Sequence, residues 1–410
     1  MRNYLCVTAA YWADTLTDGA LRMLVLFYFY DKGYSALAVA SLFLFYEVFG
    51  IITNLFGGWL GARLGLKTTL FMGLGTQLAA LAMLAFAPAA WITVPWVMAS
   101  QALSGVAKDL TKMSSKSAVK LIAGDSDARL YRWVALLTGS KNALKGVGFF
   151  LGGLLLSVAG FQPSLLILGG LVLSALLGAA LGMRGGLGEP SRKAKFTQMF
   201  STSRAVNLLA AARVFLFGAR DVWFVVALPV FLSSVLGWKF WQAGAFMASW
   251  IIGYGIVQAA TPALIRNKSA GHAPDGRTAM WLAAVLSVIP AGIALALECD
   301  VAPVLAVPGG LILFGLVFAL NSSVHSFLIL SYADNKKVAQ SVGFYYMANA
   351  CGRLAGTVLS GWLYQLGLAH SPVSGLNWCL WTSAVFLALT ALISLALPRG
   401  PRQESLEPQL

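Results

Sequence analysis

Stretches of about twenty apolar residues recur along this chain with only short polar breaks, and a chain so patterned has few folds open to it. The hydrocarbon core of a bilayer is about 30 Å thick, which about 20 residues of helix cross. Twelve such segments can be marked, near 4–30, 36–60, 68–89, 93–115, 131–158, 162–183, 205–235, 239–264, 278–297, 303–330, 338–367 and 376–397. In lipid each backbone amide must find its partner within the protein, so the expectation is an all-α integral membrane protein of twelve transmembrane helices. Composition agrees: 59% of residues are hydrophobic, 11% are charged, and mean hydropathy is +0.76. Forty-two glycines suit close helix–helix approach where lipid gives no hydrophobic drive.

The longest polar interval, 184–204, divides the segments six and six and contains the basic run PSRKAKF. The expected organisation is a six-helix bundle at 1–183, a cytoplasmic linker at 184–204, a second bundle at 205–397 and a cytoplasmic tail at 398–410. Asp14 and Asp18 within the first apolar run argue for a retained helix and against a cleaved leader. With both termini in the cytoplasm, 19 of the 29 Lys and Arg fall on that side, 2 on the other and 8 inside the segments. That bias predicts a multi-pass protein of a bacterial inner membrane.

The net charge of +14 would suit a nucleic-acid partner, but much of it lies in short loops between apolar segments, so none is expected. The four cysteines lack CxxC or His-paired spacing, and neither metal nor cofactor is expected. No nucleophile–base set or phosphate-cradling loop is apparent, which argues against an enzyme, and a receptor or scaffold would not need charges in so many helices.

The charges inside the segments carry the functional reading. The bases are Arg22, Lys108, Lys112, Lys141, Lys145, Arg213, Arg220 and Arg353, and the acids are Asp14, Asp18, Glu47, Asp109 and Asp221. A charge at the bilayer centre costs at least about 2.5 kcal/mol on insertion scales, so such groups pair or line a watery path. Eight bases against five acids cannot all pair, and a small anion passing through would balance the surplus. Lys108 and Lys112 share a face of segment four, and Lys141 and Lys145, with Asn142, repeat the spacing in segment five. Arg213 and Arg220 share a face of segment seven and suit a clamp on phosphate or carboxylate. Arg353 stands among small residues that leave room for a ligand. Blander readings stay open: a solvated interface for Lys112, pairing of Lys141 and Lys145 with acids such as Asp109, and an Arg220–Asp221 pair. In segment one, Asp14, Asp18 and Arg22 form one stripe, in which Asp18 can neutralise Arg22 or an acid can carry a proton. Glu47 reads as an unaccompanied acid and an equal candidate for proton coupling. In segment ten, beside Asn321, Ser322 and Ser323, His325 is either a proton relay or a packing histidine.

Six plus six helices with a basic central loop resemble the major facilitator superfamily. The run Gly58-Trp-Leu-Gly-Ala-Arg63-Leu-Gly65-Leu-Lys67 is similar to that superfamily's gate-loop signature, with Ala62 in its acidic place and Leu66 in a basic one. Gly139, Gly148 and Gly152 partly match the superfamily's antiporter motif, with Gly153 where proline is expected. Longer strings, TLTDGALRMLVL, FLFYEVFGIITNLFGGWL, QALSGVAKDLTKMSSKSAVKL, LTGSKNALKGVGFFLGG and FLFGARDVWFVVALPVFL, resemble organoarsenical efflux transporters of that superfamily. The resemblance implies a cavity lined by helices one, four, seven and ten and flanked by two, five, eight and eleven. It further implies a protein working as a monomer. The implied activity is export of 1-arseno-3-phosphoglycerate, made with a partnering glyceraldehyde-3-phosphate dehydrogenase. Exchange of a sugar phosphate or of inorganic phosphate is the alternative within the fold.

Overall fold

The structure, a computed structural model, describes residues 2–123, 127–183, 203–266, 274–299, 301–332 and 338–398. Side chains are described throughout these except at 4, 55, 57–63, 89, 116–123, 127–139, 262–266, 330 and 338–343. The expected linker at 184–204 and the tail at 398–410 lie almost wholly outside the described residues.

Fourteen α-helices make twelve spans. In the first half these are α1 (Arg2–Asp31), α2 and α3 (Ala36–Ser41, Leu44–Leu64), α4 (Leu66–Ala85), α5 (Val94–Ala123), α6 (Asp127–Ala159) and α7 (Phe161–Gly182). In the second half they are α8 and α9 (Arg204–Phe224, Ala227–Ser234), α10 (Phe240–Arg266), α11 (Gly276–Glu298), α12 (Pro303–Tyr332), α13 (Val338–Leu368) and α14 (Ser374–Ser394). Among the described residues, nine stretches are long and apolar enough to cross a bilayer by length and composition. The helices outside that set are α1, α5 and α13, where the charged and polar residues of the segments concentrate.

Two spans, each expected as one continuous segment, are broken. Between α2 and α3 the chain tightens, with Leu42 and Phe43 donating to carbonyls three residues back. Between α8 and α9 the amides of Val226 and Ala227 leave the helical ladder and donate to Ser360 Oγ of α13, at 3.2 and 3.0 Å. A break in lipid is tolerated where a neighbouring side chain re-satisfies the backbone in this way.

Charged side chains lie inside and large apolar ones outside, the reverse of a soluble protein. Leu181, Val288, Leu305 and Leu392 are each more than half exposed, while Asp14, Glu47, Asp109 and Asp221 are each 1% exposed. The halves meet along α6 against α10 and along α13 against α2 and α3. Glycine makes these approaches possible: a β-carbon at Gly146 or Gly153 of α6 would collide with backbone of α10, and one at Gly361 of α13 with Ala40 of α2. Gly148 and Gly152 pack against α1 instead.

The gate-loop run is shorter as a loop than the sequence suggests. Gly58 and Arg63 lie in α3, with side chains outside the described residues, and Gly65 alone, at φ 84°, joins α3 to α4. Lys67 then reaches from α4 to the Met183 carbonyl at 3.4 Å.

Candidate substrate cavity

Helical periodicity decides which side chains face the space between the halves. Tyr11, Thr15 and Asp18 form a stripe on α1, and Lys108, Asp109 and Lys112 one on α5. Lys141, Asn142 and Lys145 do so on α6, and Arg213, Phe217, Arg220 and Phe224 on α8. Trp250, Ile251, Tyr254 and Gln258 line from α10, Tyr346, Asn349, Ala350 and Arg353 from α13, and Glu47, Gly50 and Asn54 from α3. The positions recur at three, four and seven, so each helix offers one face. They enclose a cavity of about 230 Å³, the scale of a small metabolite. Seven cations and three acids line it, so its walls carry a surplus of positive charge.

Not all of those cations are available to a ligand. Asp109 binds Lys112 through Oδ1 and lies 3.8 Å from Lys108 Nζ through Oδ2. Lys112 also donates to Asn54 Oδ1 at 2.8 Å, and Lys108 lies 4.0 Å above the Tyr46 ring. Asp109 thus pairs with the two lysines of its own helix, α5. Lys112 is a clamped cavity residue and not a solvated interface lysine.

Glu47 is not unaccompanied. It accepts from Arg22 Nη1 at 3.3 Å and from Arg353 Nη2 at 2.6 Å. Arg353, expected to be alone, also reaches Asp221 Oδ2 through Nε at 3.4 Å, and Arg220 Nε donates to Asp221 Oδ1 at 2.6 Å. These five residues form one ionic junction that crosses from α1 and α3 to α8 and α13. Arg22 belongs to this junction and does not line the main cavity. Asp18 does not neutralise Arg22; it accepts from Tyr46 Oη at 2.6 Å.

Of the cations lining the cavity, Arg213 and Lys145 have no acid in salt-bridge reach among the described residues. Arg213 is held by neutral acceptors, donating through Nε to Asn349 Oδ1 at 2.9 Å and through Nη1 to the Ser322 carbonyl and hydroxyl at 3.4 and 3.2 Å. Its guanidinium lies 3.9 Å from the Phe217 ring centre and 5.0 Å from that of Tyr345. These contacts fix its direction and leave its charge uncancelled. Lys145 Nζ lies 5.6 Å from the Phe149 ring centre, with Asp18 and Glu47 facing it from beyond ion-pair distance. Lys141 lines the same α6 wall. Arg213 and Lys145 thus stand on opposite halves, neither in a direct ion pair among the described residues.

Asp14 is turned from the cavity toward Thr111 of α5, whose hydroxyl donates to the Ala107 carbonyl at 2.8 Å. Among the described residues no cation lies within salt-bridge distance of its carboxylate. His325 is fully buried behind Arg213 and does not line the cavity, and neither ring nitrogen has a hydrogen-bond partner.

Neutral residues absent from the sequence reading complete the site: Asn54, Tyr254, Gln258 and Asn349. Ser322 Oγ receives Tyr254 Oη at 3.2 Å and Gln258 Nε2 at 3.4 Å, and Gln258 Oε1 receives Asn142 Nδ2 at 3.2 Å. A polar chain thereby runs from α6 to Arg213. The only signal in the sequence was register, since 254 and 258 share a face of α10 and 346, 349 and 353 one of α13.

Two six-helix bundles around a charged central cavity define a polytopic transporter, and not an enzyme. The chain matches the model of the Major Facilitator Superfamily over residues 5–336, and it belongs to that superfamily. A search of curated proteins gives no match. Among solved structures it is similar to a proton-dependent oligopeptide transporter, with 14% identity, a TM-score of 0.73, and 96% of this chain and 98% of that one covered. It is similar to a POT family transporter in complex with 5-aminolevulinic acid, with 13% identity, a TM-score of 0.76, and 96% and 95% covered. The nucleoside transporter NupG gives 14% identity, a TM-score of 0.72, and 96% and 99% covered.

Proposed function

We propose that this protein exports a small organic anion with two charged groups from the cytoplasm by alternating access, and that the cargo is 1-arseno-3-phosphoglycerate. The observation that carries this reading is the pair of cations outside any direct ion pair among the described residues, Lys145 on one half and Arg213 on the other. A ligand with an anionic group at each end would engage both halves at once, so its binding would be felt at the interface that must move. The ester has a phosphate at one end and an arsenate at the other. The charge-bearing strings in α1, α3, α5, α6 and α8 support the choice of arsenic through their resemblance to the organoarsenical exporter ArsJ. The same cations would accept a phosphate ester, so the residues themselves favour no element.

In this reading both termini and the 184–204 linker are cytoplasmic, the membrane is a bacterial inner membrane, and the protein works as a monomer in lipid. A glyceraldehyde-3-phosphate dehydrogenase supplies the ester. Asp14 is the proton-coupling carboxylate, because Glu47, Asp109 and Asp221 are each engaged by two cations and Asp18 holds Tyr46. Lys108, Lys112, Arg220 and Arg353 set the field of the cavity and are not its main ligands.

The test is arsenic accumulation in arsenate-exposed cells lacking other arsenic pumps, with the chain expressed alone, with the dehydrogenase, or as a Lys145→Ala/Arg213→Ala variant. Accumulation should fall only when both intact proteins are present. A fall with the transporter alone would make arsenate the cargo, and no fall in any arm would remove arsenic from the reading. Phosphate-ester transport by reconstituted protein without arsenate would then identify an exchanger.

A further inference from the structure

Beyond the main cavity, at the ionic junction, lies a smaller chamber of about 20 Å³ between α1, α6, α8 and α13. Arg22, Lys145, Arg220 and Arg353 line it together with Asp221, and Glu47 bonds two of those arginines from outside. Four cations thus converge on two carboxylates, so positive charge predominates around the chamber. Arg22 is 5% exposed. Its Nη1 is engaged by Glu47, while its Nη2 is buried with no hydrogen-bond partner. A buried guanidinium N–H left unpaired is costly, and here it belongs to a group lining a chamber whose walls are predominantly cationic. The volume accommodates one or two waters, which suits a halide ion and excludes a phosphate ester.

We propose that this chamber binds a small inorganic anion of chloride size, with Arg22 as its principal ligand. Such an ion would neutralise the local surplus and steady the junction while the halves are joined there. It would be released or exchanged when Glu47 and Arg353 part. The site is distinct from the substrate cavity in size, although Lys145, Arg220 and Arg353 border both.

The experiment uses the purified full chain at constant ionic strength, with sodium chloride or bromide replacing sodium gluconate, whose anion is too large for the chamber. Chloride and bromide should raise the unfolding midpoint in a saturable way, and ³⁵Cl NMR lines should broaden and sharpen again on adding bromide. Arg22→Gln should weaken the apparent chloride affinity about tenfold, the scale of one charge-assisted hydrogen bond. Arg22→Lys keeps a positive charge opposite Glu47 but lacks the planar donor, and should show the same loss if Arg22→Gln does not fold. Equal midpoints in chloride and gluconate, or unchanged chloride broadening in both variants, would overturn the proposal. So would loss of the broadening on adding 3-phosphoglycerate, because the chamber would then be the far end of the substrate site. None of these readouts depends on arsenic transport, so the chloride site and the exporter reading can fail separately.

Discussion

The two halves are joined across the cavity at two places that differ in kind. Glu47 and Arg353 make a buried ionic contact of 2.6 Å inside a five-residue network, toward the end of the molecule opposite the termini. Asn142 and Gln258 make a neutral amide contact of 3.2 Å, nearer the end that bears the termini. Removing one partner from a buried ion pair costs about 3–5 kcal/mol, whereas a neutral hydrogen bond contributes about 1 kcal/mol. The difference teaches which end opens more readily. Among the described residues, the join through Glu47 and Arg353 is the stronger of the two.

The largest expected effect comes from breaking the stronger join. Glu47→Gln should move the far ends of α2 and α13 apart and lower transport on the order of a hundredfold, given the cost of an orphaned buried arginine. Spin-label distances between these helices report the movement, and the Glu47→Arg/Arg353→Glu swap should restore part of it. Unchanged distances in Glu47→Gln would mean that helix packing, and not the ion pair, holds that end.

Arg213→Ala should come next, with about ten- to hundredfold weaker binding of a dianionic ester by calorimetry, the scale of one or two charge-assisted hydrogen bonds. Arg213→Lys should recover little, since an ammonium cannot satisfy Asn349 and Ser322 while stacking on Phe217. Asp14→Asn tests the coupling reading. In liposomes it should abolish the about tenfold accumulation that one unit of pH gradient can drive, while leaving counterflow exchange intact. Equal gradient-driven accumulation in Asp14→Asn and wild type would exclude Asp14 as the carrier.

The smallest effect belongs to the weaker join. Gln258→Leu should change opening of the termini end only a few-fold, read from spin-label distances between the termini ends of α6 and α10. An effect as large as that of Glu47→Gln would erase the contrast between the two joins.

Sequence alone sufficed for the membrane-spanning class, the all-α fold, the twelve spans and the central charged path, because apolar length and charge placement are local properties. It was also enough to nominate the cations, since each faces inward at helical spacing. Tertiary structure decided which of them are spent. Glu47 and Arg353 lie 306 residues apart, and nothing local to either shows that they meet. Asp18 and Arg22, four apart on one helix, take different partners because adjacent residues of α3, Tyr46 and Glu47, meet them. The same holds for the helix breaks: the freed amides of Val226 and Ala227 are tolerable only because Ser360 arrives from a distant helix. Charge type and periodicity are written in the chain, but charge cancellation is a matter of distance, and only the packing of fourteen helices sets those distances.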